Sequence, residues 1–150
     1  MEKVEINKEM KLSEHFTLGE LTKTSIKTED QNIPSRVAIE NLKNICENWL
    51  EALRQAQGPL IINSGYRSPE VNKRAGGSST SNHLTGCAVD IRVSGFEQAI
   101  RYASILLDIS DGTKRDYDEL YIERNSERRY WIHFAVRPRD NRRKGNFILT

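Results

Sequence analysis

The sequence predicts an α+β domain in which a small antiparallel sheet carries helices on one face and leaves its other face open. Two observations lead to this prediction: helical periodicity occurs before and between the strands, and the strands alternate apolar with polar residues. The apolar residues of 88–93 alternate with Asp90, and those of 130–136 alternate around His133. Such alternation is typical of a sheet with one face packed on a core and one face open, so Asp90 and His133 should share the open face.

The first part of the chain should be helical after a short disordered start. Residues 1–11 are charged and lack periodicity, which favours a flexible N-terminal arm. Thr17 and Glu20 have the T-x-x-E spacing of a capping box and predict a brief helix. A long amphipathic helix, capped by Ser35, should then run from about Ser35 to Gln57, where Gly58 and a proline end it.

Shorter elements should follow up to a basic end. A helix over 96–107 is expected to bury the stripe Phe96, Ile100, Ala103 and Leu107. The other expected elements are a strand at 60–63, a helix at 69–75 and strands at 88–93, 118–123 and 130–136. Residues 12–150 should form one domain, with a solvated basic tail from about 137 to 150.

The composition narrows the class of protein. A hydrophobic share of 37% with 29% charged residues is typical of a soluble domain, and we expect a monomer. No apolar run approaches the roughly 20 residues that span a bilayer, and the N-terminus lacks the apolar region of a secretory signal. We therefore expect a chain that is cytoplasmic as synthesised and has no membrane partner. A net charge of +2 without interleaved basic and aromatic residues argues against a nucleic-acid partner.

A divalent-metal site is the main functional prediction. His83 precedes Asp90 by seven residues, and His133 follows on a later strand. Two imidazoles and a carboxylate give zinc three protein ligands and leave a fourth position for water. Cys87 lies between two of these residues, but alternation turns it toward the core and favours a structural role. The HExxH helix motif is absent, and a single histidine is more often a surface or core residue, so the residues alone leave both interpretations open.

Several motifs resemble one family of metalloenzymes. They are SGYRSPEVN at 64–72, GGSSTSNHLTGCAVDI at 76–91, YDELYIE at 117–123 and WIHFAV at 131–136. Together they resemble the zinc D-alanyl-D-alanine carboxypeptidases and L-alanyl-D-glutamate endopeptidases that cleave peptidoglycan, in particular the small single-domain, phage-type branch. The resemblance covers about residues 12 to 136.

The resemblance implies roles for individual residues. His83, Asp90 and His133 match the zinc ligands of the family, and Arg67 and Ser81 match residues that hold the substrate peptide. These roles suit the side chains, since a guanidinium is a planar fork for a carboxylate or carbonyl.

The general base is where this sequence departs from the family. Well-known members carry a carboxylate three residues before the last histidine ligand, but this chain has Tyr130 there. Alternation in the 118–123 strand makes Glu123 the best candidate base, on the same face as His133. Asp118 and Glu119 are alternatives, and Glu123 could instead orient a ligand histidine from outside the metal site.

The expected function is a Zn²⁺-dependent peptidase that hydrolyses an amide bond in peptidoglycan stem peptides. The bond would be of the D-Ala-D-Ala carboxypeptidase type or the L-Ala-D-Glu endopeptidase type. Such a chain would reach the cell wall after release, as a phage lysin does, or would have been separated from its signal. The alternative is a catalytically silent zinc-containing module that binds cell-wall peptide, which the tyrosine at position 130 suggests.

Overall fold

The computed structural model describes residues 6–150, which form a two-stranded hairpin, a five-stranded sheet and surrounding helices. The strands are β1 (Lys11–Ser13), β2 (Phe16–Thr17), β3 (Ile62–Ser64), β4 (Ala88–Arg92), β5 (Glu119–Arg124), β6 (Tyr130–Ala135) and β7 (Lys144–Leu149). The α-helices are α1 (Leu18–Thr22), α2 (Arg36–Ile45), α3 (Glu51–Gln57), α4 (Pro69–Arg74) and α5 (Phe96–Thr113). A π-helical segment, Cys46–Leu50, joins α2 to α3, and a 3₁₀ turn, Asn82–Thr85, precedes β4. Within residues 6–150, no helix is both long and apolar enough to cross a bilayer.

The five-stranded sheet confirms the predicted α+β class. Its strand order is β3-β4-β6-β5-β7, and every pairing is antiparallel except the parallel β5–β7 pair. Asp90 on β4 and Tyr121 on β5 both pair with His133 on β6. Three polar residues therefore lie side by side across the middle of the sheet.

The other face of the sheet carries the core. Ile91 and Phe134 are fully buried, and Trp49 from the π-helical segment packs on Phe134 with ring centroids 5.0 Å apart. Ser35 caps α2 as predicted, since its hydroxyl accepts a hydrogen bond from the backbone of Ala38 at 3.1 Å. The expected single helix from Ser35 to Gln57 is instead interrupted by the π-helical segment.

The packing face of α5 differs from the prediction. Phe96 and Ile100 are 50% and 45% exposed, whereas Ala99, Tyr102 and Leu106 are buried. Apolar residues occupy two adjacent stripes of this helix, and periodicity alone could not tell which stripe faces the sheet. The helix also continues beyond the predicted end at 107 and reaches Thr113.

The basic C-terminal segment is solvent-exposed, but it forms a strand instead of the predicted tail. Residues 144–149 form β7 beside β5, and the chain leading into it is tied to the sheet. Arg142 donates to the carboxylate of buried Asp118, and the Arg143 guanidinium lies 4.7 Å from the centroid of the Tyr117 ring. Arg142 and Arg143 are thus partners of a buried and an aromatic group.

The N-terminal arm is likewise attached over its described part. Residues 1–5 of the predicted arm lie outside the described residues. The carbonyl of Lys8 accepts from Gly19 at 2.8 Å, and that of Met10 accepts from Leu18 at 2.8 Å. Residues 8–10 are therefore bound to the first turn of α1.

Two sets of hydrogen bonds fix the hairpin and α1. The capping box is present as predicted, with Thr17 Oγ1 accepting from Glu20 N at 3.3 Å and Glu20 Oε1 accepting from Thr17 N at 3.3 Å. Glu51 on α3 accepts from the hydroxyl of Ser13 and from the backbone of His15, the latter at 2.7 Å. These bonds hold the hairpin against the helical layer.

Candidate metal centre

Three side chains meet on the open face of the sheet. The exposed fractions of His83, Asp90 and His133 are 2%, 7% and 9%. One ligand atom from each lies within 4.8 Å of the others. His83 Nε2 is 3.3 Å and His133 Nδ1 is 3.1 Å from the same atom, Asp90 Oδ1.

The local fold explains why these residues meet. The β4–β6 register sets Asp90 beside His133, while the 3₁₀ turn brings His83 over the start of β4. Gly86 ends that turn with φ +73°, and a Cβ there would lie 2.3 Å from the carbonyl oxygen of Ala38. Because only glycine tolerates both the conformation and the contact, Gly86 fixes the approach of His83 to the sheet.

The outer nitrogen of each histidine also has a partner. His83 Nδ1 lies 2.6 Å from the carbonyl oxygen of Gly65, and His133 Nε2 lies 2.9 Å from Glu119 Oε1. Both partners are acceptors, so these two nitrogens carry protons and donate. His83 Nε2 and His133 Nδ1 are then the nitrogens that face the cluster. A ligand histidine typically has such an outer partner.

The cluster also suits a cation electrostatically. Burial acts to raise the pKa of Asp90, but the imidazoles of His83 and His133 hold it well below its usual range. Burial acts to lower the pKa of His133, but Asp90 and Glu119 raise it to about 9. Once His133 has released its proton, an ionised carboxylate between two imidazoles is a donor set of the kind that binds zinc.

A cavity of about 220 Å³ opens at the cluster. Apart from the three residues above, its lining consists of polar or charged residues: Arg67, Ser78, Ser81, Asn82, Glu119, Tyr121 and Glu123. The sequence-predicted substrate residues and the predicted base are therefore gathered around one cavity.

Glu123 lines this cavity, and its Oε1 takes no part in the hydrogen bond that its Oε2 makes. Its Oε2 accepts a hydrogen bond from the indole nitrogen of Trp131, its partner on β6. Burial raises the pKa of Glu123, and the negative charge of Asp90 raises it further. A carboxylate with a raised pKa in a cavity is a candidate for acid–base chemistry.

Both carboxylate oxygens of Glu119, in contrast, contact polar groups of the protein. Its Oε1 contacts His133 and accepts from Asn82 at 2.8 Å, and its Oε2 accepts from the Tyr121 hydroxyl at 3.0 Å. Burial opposes ionisation, but the hydrogen bonds from His133 and Asn82 lower the pKa of Glu119 to about 2. Tyr121 also stacks on His133 with ring centroids 5.3 Å apart.

Asp118 lies deeper, and its side chain is 0% exposed. It accepts from Arg142 Nε at 2.9 Å, Arg142 Nη2 at 2.7 Å and Asn82 at 2.8 Å. Arg137 Nε lies 3.2 Å from the same carboxylate. Asp118 therefore links the C-terminal segment to the turn that carries His83.

Arg67 and Ser81 both lie beside the cluster. Arg67 donates from Nη2 to Asp90 Oδ2 at 3.1 Å and from Nε to Ser64 at 3.0 Å. The hydroxyl oxygen of Ser81 accepts from the backbone of His83 at 3.1 Å. Arg67 thus contacts a cluster residue, which the sequence did not indicate.

Sequence reasoning also missed the partners of the cluster. Asn82, the Gly65 carbonyl and the indole of Trp131 each hold a cavity residue in place. Only Trp131 carried a usable signal, because alternation places it on the same face as His133. Cys87 is buried outside the cluster, with its sulfur 3.9 Å from the carbonyl oxygen of Thr85.

Comparison with known proteins assigns the family. The model of the peptidase M15 family matches residues 14–118, which is most of the chain. The chain belongs to the peptidase M15 family. This confirms the family predicted from the motifs. The match contains Arg67, Ser81, His83 and Asp90, and it ends before His133.

A curated relative agrees with this M15 assignment. A zinc D-Ala-D-Ala carboxypeptidase of Streptomyces albus G is 32% identical over 80 residues. The match covers 51% of this chain and 31% of that protein. The matched segment therefore spans about a third of the length of this relative.

Proposed function

We propose that this M15 chain is a zinc-dependent peptidase that hydrolyses an amide bond in peptidoglycan stem peptides. The bond would be of the D-Ala-D-Ala carboxypeptidase or the L-Ala-D-Glu endopeptidase type. The observation that carries the proposal is the convergence of His83 Nε2 and His133 Nδ1 on Asp90 Oδ1, at a cavity that Glu123 also lines. Family membership and the zinc carboxypeptidase relative support it.

His83, Asp90 and His133 would hold the metal. Their two nitrogens and one oxygen match the three protein ligands of a catalytic zinc, and each histidine has an outer partner that sets which nitrogen binds. When bound, Zn²⁺ supplies Lewis acidity, which makes water nucleophilic near neutral pH and polarises the scissile carbonyl.

Glu123 would act as the general base and then as the general acid. Its carboxylate takes a proton from the attacking water and returns it to the amine that leaves as the C–N bond breaks. The raised pKa of Glu123 suits both roles, since a carboxyl group that holds a proton more tightly is a stronger base. Trp131 would keep the carboxylate directed toward the cavity through its indole hydrogen bond.

The two alternative carboxylates are poorer candidates for the base. Asp118 is fully buried and accepts from Arg142 and Asn82, which leaves no open position for water. Glu119 contacts His133 and accepts from both Asn82 and Tyr121, so its role would be to orient a metal ligand. Their hydrogen bonds lower both pKa values to about 2, which makes each a weak base.

Arg67 and Ser81 would position the peptide. Arg67 donates from Nη2 to Asp90 and from Nε to Ser64. Its Nη1 makes only a long contact, 3.5 Å, with Asn72 Oδ1. Nη1 is therefore available to a substrate carbonyl or carboxylate. The Ser81 hydroxyl accepts from His83 and still has its own proton to donate.

The tyrosine at position 130 does not by itself favour a silent binding module. In the regular strand β6, residue 130 is an odd number of positions from His133 and so points to the opposite face. Its ring packs on Phe96 there, with centroids 5.8 Å apart. A carboxylate at 130 would not reach the cavity in this strand, which makes Glu123 on β5 the more suitable source.

Incubation of the purified, zinc-loaded protein with defined muropeptides tests the proposal, with products identified by mass spectrometry. We expect loss of a terminal D-Ala or cleavage between L-Ala and D-Glu, abolished by a chelator and restored by Zn²⁺. Binding of peptide and zinc without cleavage of any muropeptide would instead establish the binding-module alternative.

A further inference from the structure

Asn32 is a buried polar residue that makes no hydrogen bond to the three proposed metal ligands. It is 4% exposed and adopts a left-handed conformation with φ +52°. It lies before α2, in the segment that follows α1, and faces the turn between β3 and α4. A buried amide in this conformation is expected to have a specific structural purpose.

The side chain of Asn32 binds the backbone on both sides of Arg67. Its Nδ2 donates to the carbonyl of Tyr66 at 3.2 Å, and its Oδ1 accepts from the backbone nitrogen of Ser68 at 2.7 Å. Nδ2 also donates to the carbonyl of Thr22 at 2.8 Å, at the end of α1. One amide group thus connects α1 to the two peptide units that flank Arg67.

Other backbone groups of this turn bond to α1 on one side and to His83 on the other. Tyr66 N donates to the carbonyl of Leu21 at 2.8 Å, and a Cβ on Gly65 would lie 2.3 Å from that same oxygen. The Gly65 carbonyl accepts from His83 Nδ1 at 2.6 Å, and Arg67 N donates to the His83 carbonyl at 3.0 Å. The backbone of residues 65–68 is therefore set from one side by α1 and Asn32, and it contacts His83 on the other.

We infer that Asn32 is a positioning residue that places the Arg67 guanidinium at the metal centre. This inference rests on the proposed function, because it concerns the role given there to Arg67. Arg67 reaches Asp90 Oδ2 from this turn, so a shift of its backbone moves the guanidinium relative to both the cluster and the substrate. A displacement of about 1 Å in a positioning group can lower a rate by about 100-fold.

Asn32→Gly is the informative variant, because glycine adopts the same left-handed conformation without strain and removes only the side-chain bonds. We expect kcat/KM on a muropeptide to fall by about 10- to 100-fold, with zinc still bound. Amide exchange at Ser68 in the metal-free protein should become faster, which reports loss of the bond to Asn32 independently of activity.

Gln31→Gly is the matched control. Gln31 has φ +56°, neighbours Asn32 and has an exposed side chain. It should leave kcat/KM, zinc affinity and the exchange rate of Ser68 unchanged. Equal losses in both variants would mean that the segment contributes only general stability, which would overturn the inference.

A double-mutant cycle with Arg67→Lys separates a positioning role from a structural one. If Asn32 acts through Arg67, Asn32→Gly should cost much less in an Arg67→Lys background than in the unaltered protein. Additive losses, or an unchanged kcat/KM in Asn32→Gly, would overturn the inference. Failure of the unaltered protein to bind zinc or cleave any muropeptide would contradict the proposed function instead, and the Ser68 exchange measurement would still report on the turn.

Discussion

Single residues decide which atoms can bind the metal. His83 directs Nε2 and His133 directs Nδ1 to the cluster, because the Gly65 carbonyl and Glu119 hold the opposite nitrogens. Glu119 is therefore expected to contribute to zinc affinity without being a ligand.

Replacement of Glu119 by alanine tests that role. Loss of an outer partner of a ligand histidine typically weakens metal binding by about 10- to 100-fold, and we expect Glu119→Ala to do so. Competition with a chromogenic chelator measures the effect. Glu127→Ala, on the exposed turn between β5 and β6, is the control and should bind zinc as the unaltered protein does. Unchanged affinity in Glu119→Ala would show that the 2.9 Å contact with His133 has no part in metal binding.

A second residue-level prediction concerns the general base. Glu123→Gln keeps the shape and the acceptor for Trp131 but cannot take up a proton, so turnover should fall by about 10²- to 10⁴-fold. Zinc content and the thermal unfolding midpoint should stay close to those of the unaltered protein. Steady-state hydrolysis of one muropeptide gives the rate, with Glu127→Gln as the control. Near-normal turnover would exclude Glu123 as the base.

At the scale of elements, one buried carboxylate, Asp118, anchors the C-terminal segment. Asp118 binds Arg142, which precedes β7, and Asn82, which begins the turn of His83. Burial opposes its ionisation, but the hydrogen bonds from Arg142 and Asn82 lower its pKa from 3.8 to about 2. The folded state therefore favours the ionised form of the Asp118 carboxyl group.

This shift predicts an acid-dependent loss of stability. A carboxyl group with a depressed folded pKa stabilises the fold fully above its unfolded pKa and loses that contribution as protonation proceeds. For Asp118 the contribution is about 2 kcal/mol, present above about pH 4 and lost as the pH falls to about 2. Urea unfolding across this range measures it.

Two variants separate Asp118 from the other carboxylates. Asp118→Asn should be less stable at pH 7 and should show a weaker decline in the free energy of unfolding between about pH 4 and pH 2. Asp108→Asn, on the exposed side of α5, should retain the full decline. An identical acid profile in Asp118→Asn and the unaltered protein would contradict the role of Asp118.

At the same scale, local pattern predicted some elements better than others. The caps at Thr17 and Ser35 were predictable because each acts within three residues of its own helix. The π-helical segment and the buried stripe of α5 depend on which side chains fill the core between helix and sheet, which periodicity does not specify. β7 was missed because the arginines just before it are held by Asp118 and Tyr117, residues more than twenty positions earlier.

For the whole molecule, alternation in two strands was enough to place Asp90 and His133 together. The β4–β6 register then fixed the pair, and the motif around His83 supplied the third group. The supporting contacts could not be predicted, because Asn32, Gly65 and Glu119 act through tertiary hydrogen bonds that have no sequence period. The expectation of a single domain over residues 12–150 stays a prediction.

Zinc content of the purified protein and its ligand variants is the most direct test of the central claim. Metal analysis should find one zinc per chain in the unaltered protein and a sharp loss in His83→Ala, Asp90→Ala and His133→Ala. Cys87→Ser and His15→Ala should keep their zinc, because both residues lie outside the cluster. Equal zinc in all of these variants, or none in the unaltered protein, would contradict a zinc centre formed by His83, Asp90 and His133.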